Sequence, residues 1–389
     1  MPEITEITPF CLPPRWILVR VRTDDGAEGW GEAIVPKRRD AVRGALADLS
    51  RTLIGTDPNR IEEAILRCRR GAFFRGGPVL STAAAAIEHA LWDRKARTLG
   101  TPVYELLGGR VRERVKVYAW IGGDRPDDVV AAAQARLDQG FSVVKMNATS
   151  EFDLIETTAA VDTVVARVAA LRDTFGTRLD IALDFHGRVA RPMVRPLLRE
   201  LEQYRLLWVE EPVPPGHDEL LPQIRGSAGP TRIATGERLA SRWEFRTLLT
   251  GGAVDVLQPD VSLTGLFEME KICRMAECFD IPVVPHCPNG PVSLAASLQV
   301  AGCAANIPLL EQSLGIHYNA PSAAGGRPTE VTDYLLNPQV LLPHEGYLKL
   351  PDQPGLGIDL DVEEITRRQT ENLPADADWR LPDGRVTEW

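Results

Sequence analysis

The stretch DIALDFHG, residues 180–187, decides the fold, because an apolar run ends there in an aspartate and a histidine two positions apart. Neighbouring residues of a strand point to opposite faces, so Asp184 and His186 would share one face while Phe185 occupies the other. Such an end is either the hydrogen-bonded polar edge of a core strand or one half of an active site. The sequence on both sides of the stretch separates these two interpretations.

Seven further β-rich runs flank this stretch, and helix-length segments separate them. The runs are VKVYAWI (115–121), FSVVKMN (141–147), LLWVEEP (206–212), RIATGE (232–237), VDVLQPD (254–260), IPVVPH (281–286) and IPLLEQ (307–312). Eight strands that alternate with helices predict a (β/α) barrel or a doubly wound parallel sheet. Neither a glycine-rich dinucleotide fingerprint nor a phosphate-binding loop accompanies them.

The N-terminal part of the chain follows a different pattern, which indicates an α+β unit. Residues 16–33, WILVRVRTDDGAEGWGEA, alternate apolar and polar residues around an Asp-Asp-Gly turn and predict a hairpin. Helix-length segments follow at about 38–53, 58–70 and 82–100. His89 lies in the last of them among alanine, leucine and tryptophan residues, so we expect it to be a core or interface histidine.

Composition limits the class of protein and its partners. The 389 residues suggest two domains, and 44% hydrophobic with 25% charged residues is typical of a globular protein. The 54 acidic and 44 basic residues give a net charge of -10, which argues against nucleic acid or an anionic membrane as partner. The sequence has no long apolar span, no signal peptide and no C-x-x-C pair among its six cysteines, so we expect a cytoplasmic location.

Six consecutive β-rich runs end in an acidic residue or a histidine at nearly equal spacing. The steps are 26, 27, 23, 26 and 25 residues, about one β/α unit each. The six positions are Asp184, Glu210, Glu237, Asp260, His286 and Glu311. A barrel gathers the carboxyl ends of its strands at one mouth, where the active sites of this fold lie. Because single buried charges are costly, this series predicts an active site.

Three of these residues have the chemistry of a metal site. Asp184, Glu210 and Glu237 come from successive runs and supply only oxygen, which suits Mg²⁺ better than Zn²⁺. The alternative is a network of ion pairs at the rim with nearby lysine and arginine residues, which could hold for one of the three. We choose Glu210 over Glu211, although strand alternation alone allows either to face inward.

Two histidines suggest acid–base chemistry beside the proposed metal. His186 follows Asp184 directly on the same predicted face, and His286 ends the next-to-last run. An aspartate that accepts a hydrogen bond from one imidazole nitrogen makes the other nitrogen a better base, and Asp260 is placed for this role. His317, just past the last run, either lines the mouth or makes a structural hydrogen bond.

The chain resembles the mandelate racemase subgroup of the enolase superfamily, and within it the galactonate dehydratase family, along nearly its whole length. The acidic triad is shared across the superfamily, whereas DFHGRV (184–189), PHCP (285–288) and EQSLGIHYN (311–319) together are far more specific. The other matching motifs are LPPRW (12–16), GWGEA (29–33), FFRGGP (73–78), ALWD (90–93), WIGGDRP (120–126), EEPV (210–213), GER (236–238) and LQPD (257–260).

The resemblance implies a modified (β/α)7β barrel of the TIM type at 113–320 and an α+β capping domain at 1–112. It implies that a C-terminal segment, 321–389, packs back on the capping domain, and that the protein forms a homo-oligomer and acts on a small acid sugar. Mg²⁺ would be bound by the acidic triad. Such a site would convert an aldonic acid, with D-galactonate as the leading candidate, to its 2-keto-3-deoxy acid.

The resemblance also implies a role for each of the other predicted site residues. His286, oriented by Asp260, would remove the C2 proton, and His186 would protonate the departing 3-hydroxyl. Glu311 would hydrogen-bond the carboxylate or the enediolate. The candidate substrate-binding residues are Lys145, Asn147, Arg15 and His317.

One departure bears on the reaction, and others bear on the substrate. Racemases of the subgroup carry Lys-x-Lys on the second barrel strand, where this chain has Lys145, Met146 and Asn147, so a second base is missing. The stretches VPKRRD (35–40), NATSEFD (147–153) and VSLTGLFEME (261–270) also differ from the pattern we expect. The alternatives are therefore another aldonate or a uronic-acid derivative, then an acid-sugar epimerase or racemase, then a silent sugar-acid-binding protein.

Overall fold

An antiparallel sheet and a helical layer form the N-terminal domain in the computed structural model, which describes residues 1–316, 319, 331–370 and 379–387. The three strands are hydrogen-bonded in the order β1-β2-β3. They are β1 Ile4–Leu12, β2 Trp16–Thr23 and β3 Glu28–Ala33. The helices are α1 Arg39–Leu53, α2 Ile61–Arg70, α3 Pro78–Thr98 and α4 Val103–Leu106. The predicted hairpin and the α+β character of this region are therefore confirmed.

Helix α3 is the core of this domain, and its sequence explains why its start was predicted four residues too late. Its residues are buried on every side, so no polar face marks where it begins. The start is set by Pro78 in the first turn, a position where a missing N–H costs nothing. Strand β3 lies directly on it, because a Cβ at Gly31 would overlap the carbonyl oxygen of Ala86. His89 is fully buried with Nε2 3.0 Å from the carbonyl oxygen of Val261, which confirms a core histidine.

Seven parallel strands and eight helices build the barrel among the described residues. The strands follow the order β10-β4-β5-β6-β7-β8-β9. They are β4 Arg114–Trp120, β5 Val143–Asn147, β6 Asp180–Asp184, β7 Trp208–Glu210, β8 Ile233–Thr235, β9 Val256–Leu257 and β10 Leu310–Gln312. The helices are α5 Pro126–Asp138, α6 Thr158–Phe175, α7 Arg191–Leu201, α8 Leu221–Arg225, α9 Arg242–Gly251, α10 Val261–Thr264, α11 Leu266–Glu277 and α12 Pro291–Cys303.

The run at 281–286 does not form the strand that its sequence predicts, yet it closes the barrel. It makes only isolated bridges, pairing Val283 with Leu257 and His286 with Asp260. Prolines at 282 and 285 lack the N–H groups that a continuous ladder needs. The amide of Val284 still donates to Leu257 on one side (2.8 Å), and the carbonyl of residue 285 accepts from β10 on the other. The predicted TIM-type barrel is confirmed.

The barrel interior is filled by side chains rather than open. A buried inner cluster takes one residue from each of β4 to β9, one from the closing segment and one from the position directly before β10, as expected for a barrel of this size. The cluster consists of Tyr118, Val143, Ala182, Trp208, Ala234, Val256, Val284 and Leu309. Because the interior is packed, an active site has room only above the carboxyl ends of the strands.

The C-terminal region contacts both the barrel and the N-terminal domain. Strand β11, Tyr347–Lys349, pairs antiparallel with β4, and helix α13 spans Val362–Arg368. The hydroxyl of Tyr334 donates to the carbonyl oxygen of Pro13 (3.1 Å), and Arg97 of α3 pairs with Asp359 (3.0 Å). In the described part of the chain, no helix is both long and apolar enough to cross a membrane.

Candidate active site

A cavity of about 470 Å³ lies where the barrel strands end and the N-terminal domain meets them. Nine of the eleven residues predicted for the site line it. They are Arg15, Lys145, Asn147, Asp184, His186, Glu237, Asp260, His286 and Glu311. Glu210 lies beside this cavity in the acidic triad, and His317 lies outside the described residues. The regular spacing in the sequence therefore does correspond to one place in the fold.

The three carboxylates proposed for the metal lie together. Asp184 ends β6, Glu210 ends β7 and Glu237 follows β8, and one oxygen from each lies within 4.8 Å of the others. All three are buried, and Oε2 of Glu237 has no hydrogen-bond partner among the described residues. Glu211 instead forms a bidentate pair with Arg238, with both N···O distances 2.7 Å. This donor set of hard oxygens fits a divalent cation such as Mg²⁺.

Like charges dominate the electrostatics of this acidic triad. Burial, followed by the charges of Glu210 and Glu237, raises the pKa of Asp184 well above its ordinary value. Burial and the charge of Glu211 raise the pKa of Glu237 to about 8. Burial acts in the same direction on Glu210, but Lys145 outweighs it and lowers the pKa of that carboxyl. The triad therefore has more negative charge than nearby cations balance, and a divalent cation would supply the difference.

Lys145 occupies the centre of an ion-pair network at the cavity wall. Its Nζ lies 2.7 Å from Oε1 of Glu210 and 3.1 Å from Oε1 of Glu311. The alternative of an ion-pair network therefore does apply to Glu210, in addition to its place in the triad. The other oxygen of Glu311 accepts from the backbone N–H of Cys287 at 2.9 Å. Lys145 thus brings its charge to the cavity while two carboxylates fix its position.

His286 is held through its side chain. Its Nδ1 lies 2.8 Å from Oδ2 of Asp260, which leaves Nε2 on the side of the cavity and 3.7 Å from Glu237. Burial disfavours the imidazolium, but the charge of Glu237, the bond to Asp260 and the charge of Glu311 outweigh it and raise the pKa of His286 to about 10. A cation that neutralised Glu237 would remove the largest of these stabilising charges.

Asn289 is a partner of Asp260 that the sequence did not reveal. Its amide nitrogen donates to both carboxylate oxygens of Asp260, at 3.0 and 2.9 Å, and the backbone N–H of Ser262 donates to Oδ1 at 2.7 Å. Burial acts against the charged form, yet the bonds from His286, Asn289 and Ser262 lower the pKa of Asp260. The only signal was an asparagine three residues after the histidine, which by itself is typical of a turn.

Glu32, at the end of the domain's hairpin, holds the segment that follows His286. Its fully buried carboxylate accepts from the backbone N–H groups of Gly290 (2.6 Å), Val292 (3.1 Å) and Ser293 (3.0 Å), at the start of α12. A helix N-terminus favours a negative charge there. A Cβ at Gly290 would lie 2.8 Å from the carboxylate and 2.9 Å from the ring of Trp16, so any side chain there would displace one of them. The N-terminal domain therefore fixes the segment that carries His286 and Asn289.

His186 is held through its backbone, in a way that differs from the sequence-based expectation. Strand β6 ends at Asp184, so simple alternation does not place His186. Its φ is +54°, in the left-handed region, its N–H donates to Oδ1 of Asp184 at 2.6 Å, and its carbonyl accepts from Arg238 at 3.4 Å. Gly187, also left-handed, donates to the carbonyl of Glu211 at 3.2 Å. Both Asp184 and His186 nonetheless line the cavity.

The closed barrel, the α+β domain above it and the acidic triad at its mouth define a class of capped barrel proteins. Residues 13–108 match the family described as "Mandelate racemase / muconate lactonizing enzyme, N-terminal domain". Residues 128–365 match the family described as "Enolase C-terminal domain-like". The chain therefore belongs to the mandelate racemase subgroup of the enolase superfamily.

Several curated relatives span the whole chain. It is 45% identical over 393 residues to the D-galactonate dehydratase of Variovorax paradoxus and 44% identical over 393 residues to that of Ralstonia pickettii, with 100% of each chain covered. It is 42% identical over 390 residues to the D-galactonate dehydratase of Pectobacterium atrosepticum, again with 100% of both chains covered. The resemblance to the galactonate dehydratase family is therefore confirmed.

Solved structures agree with the fold. A mandelate racemase/muconate lactonizing enzyme-like protein of Rubrobacter xylanophilus has a TM-score of 0.86 and 30% identity, covering 96% of this chain and 99% of its own. An enolase of Agrobacterium radiobacter, solved with sodium and L-malate bound, has a TM-score of 0.87 and 29% identity, with 100% of both chains covered.

Proposed function

We propose that this protein is a Mg²⁺-dependent sugar-acid dehydratase that converts an aldonic acid of the D-galacto configuration to its 2-keto-3-deoxy acid. The observation that carries the proposal is that two histidines line one cavity next to the acidic triad, with His286 bonded to Asp260. The curated relatives, which are D-galactonate dehydratases, make D-galactonate the leading substrate.

Asp184, Glu210 and Glu237 are the residues that would hold Mg²⁺. The proton on C2 of a carboxylate is very weakly acidic, and the ion would supply positive charge where negative charge develops as that proton leaves. Lys145, fixed by Glu210 and Glu311, adds a second positive charge at the same wall of the cavity. We therefore propose that Glu311 positions Lys145, and that the charge of Lys145 then stabilises the carboxylate of the substrate.

The two histidines divide the proton transfers. His286 takes the C2 proton at Nε2, because Nδ1 is committed to Asp260. His186 gives a proton to the 3-hydroxyl as the carbon–oxygen bond breaks, and water leaves. The enol that results becomes the 2-keto-3-deoxy acid on protonation at C3. Asn147 lines the cavity at the position where the subgroup's racemases have a second lysine, which favours elimination over racemisation.

The test is to separate the two proton transfers with matched substitutions. His186→Asn should stop formation of 2-keto acid from D-galactonate with Mg²⁺ while exchange of the C2 proton with D₂O continues. His286→Asn should abolish both, because no group remains to take the proton. Product is measured by a 2-keto acid assay, and exchange by NMR of the recovered substrate.

The control is His217→Asn, since His217 lies on the surface beside Glu219 and outside the cavity. This variant should keep both activities. Full dehydration by either active-site variant would contradict the role assigned to that histidine. Undiminished turnover after chelation and dialysis would contradict the requirement for Mg²⁺.

A further inference from the structure

The wall that the N-terminal domain contributes to the cavity is largely apolar. Ile34, Val35 and Pro36 follow β3 directly, and Pro78 begins α3. Of the five lining residues from this domain that the structure describes, these four carry no polar side-chain atom. The fifth is Arg15, whose guanidinium donates to the carbonyl oxygen of Pro288 at 2.8 Å.

The barrel contributes Leu263 and Pro288 to the same cavity, so carbon-rich surface comes from both domains. The remaining barrel residues around it are mainly the charged and polar groups assigned to the reaction. Those groups act on C1, C2 and C3 of an aldonic acid. Among the described residues the rest of the lining adds Trp120, Arg238, Ser262 and Asn289, yet apolar surface still predominates where the reacting groups do not reach, and carbons further along the substrate would lie against it.

A hydroxyl placed against such a surface loses its hydrogen bonds to water without replacing them. A methyl group at the same position gains from burial. We propose that the preferred substrate is a 6-deoxy aldonic acid, in which the terminal carbon is a methyl group, and specifically 6-deoxy-D-galactonate. This inference rests on the proposed function, since it keeps the reaction and the D-galacto configuration and changes only the end of the chain.

The experiment compares kcat/KM for D-galactonate and 6-deoxy-D-galactonate, with Mg²⁺ present and the full chain. An apolar pocket rejects an added hydroxyl only moderately, so we expect kcat/KM to be about 10- to 100-fold higher for the 6-deoxy acid. Val35→Thr and Leu263→Asn add hydrogen-bonding groups to the wall. Each should shift the ratio towards D-galactonate, while the matched control Val111→Thr, at an exposed valine outside the cavity, should leave the ratio unchanged.

The outcomes separate this inference from the proposed function. A kcat/KM for D-galactonate equal to or above that for the 6-deoxy acid would overturn the inference and leave the dehydratase proposal intact. The same holds if both wall variants keep the wild-type ratio. Absence of 2-keto acid from both substrates would overturn the proposed function together with the inference.

Discussion

The two histidines of the cavity are positioned by different parts of the molecule. His286 is fixed through its ring, by Asp260 and, behind it, by Asn289. His186 is fixed through its backbone, by a left-handed conformation and by contacts to Asp184 and Arg238. A base needs a defined tautomer, which a carboxylate on its ring provides. An acid that meets a leaving hydroxyl needs a defined position, which a fixed backbone provides.

The largest expected effect follows from removing the ring partner of His286. Asp260→Asn keeps the shape but replaces the carboxylate with an amide that no longer fixes the tautomer. We expect kcat to fall by about 10³- to 10⁴-fold with KM little changed, as for a triad aspartate. C2 exchange in D₂O should fall in parallel, because removal of the proton is the step affected. If exchange stayed at the wild-type rate while dehydration fell, the link between Asp260 and the base would be wrong.

A smaller and different effect should follow from loosening the backbone of His186. Arg238→Ala removes the bond to the His186 carbonyl and leaves the buried Glu211 without its bidentate partner. Displacement of a reacting group by about 1 Å costs up to about 10²-fold, so we expect dehydration to fall by about 10- to 100-fold while C2 exchange is largely retained.

A control for lost stability accompanies that measurement. Arg225→Ala breaks another arginine–carboxylate pair, a single contact with Asp255 (3.2 Å) at a site outside the cavity, and it should change neither activity. Arg238→Lys, which keeps the charge but not the paired geometry, should give an intermediate rate. Equal losses of exchange and dehydration in the alanine variant would mean that Arg238 supports the whole site rather than His186.

The smallest expected effect is on the free energy of unfolding, and it comes from Glu32, which holds the segment that follows His286. Burial raises the pKa of Glu32 to about 7, against backbone hydrogen bonds that lower it. The folded protein then binds this proton more tightly than the unfolded chain does. The contribution of Glu32 to the free energy of unfolding should therefore decrease as pH rises from about 4.5 to about 7 and stay low above that.

Glu32→Gln removes this titration. Between pH 4.5 and 7 we expect a flatter dependence of the unfolding free energy on pH in the variant than in the wild type, measured by urea denaturation at each pH. Asp48→Asn, at an exposed carboxylate of α1, is the control and should keep the wild-type slope. Identical slopes for the wild type and Glu32→Gln would show that Glu32 titrates as it does in the unfolded chain.

The sequence predicted those features that depend on a regular pattern. The spacing from Asp184 to Glu311 reflects one β/α unit after another, so both the barrel and the gathering of these residues followed from it. The run at 281–286 shows where such a prediction fails. Its apolar residues predict a strand, but its two prolines lack the N–H groups that a continuous hydrogen-bonded ladder needs. The position of His186 shows another such failure, since a left-handed residue after a strand leaves no mark in the alternation of apolar and polar residues.

The remaining contacts could not be predicted, because they join positions that share no local pattern. Asn289 reaches Asp260 from 29 residues away, and Glu32 reaches Gly290 from 258 residues away. In each case the sequence shows a polar residue in a turn or at a strand end, and such a residue could form hydrogen bonds with many other residues of the chain. Only the closed barrel and the domain packed on it select the partner that is found.

The hairpin β2–β3 has a consequence for attempts to recombine this protein with its relatives. Glu32, which secures the segment behind His286, is separated by a single residue from Ile34, where the apolar wall of the cavity begins. A chimera that exchanges the N-terminal domain to change the substrate would therefore also exchange the residue that holds the segment after His286. Two crossovers, one after Ala33 and one before β4, would exchange Ile34, Val35 and Pro36 while retaining Glu32 and the whole barrel, and so would separate the apolar wall from the residues proposed for the reaction.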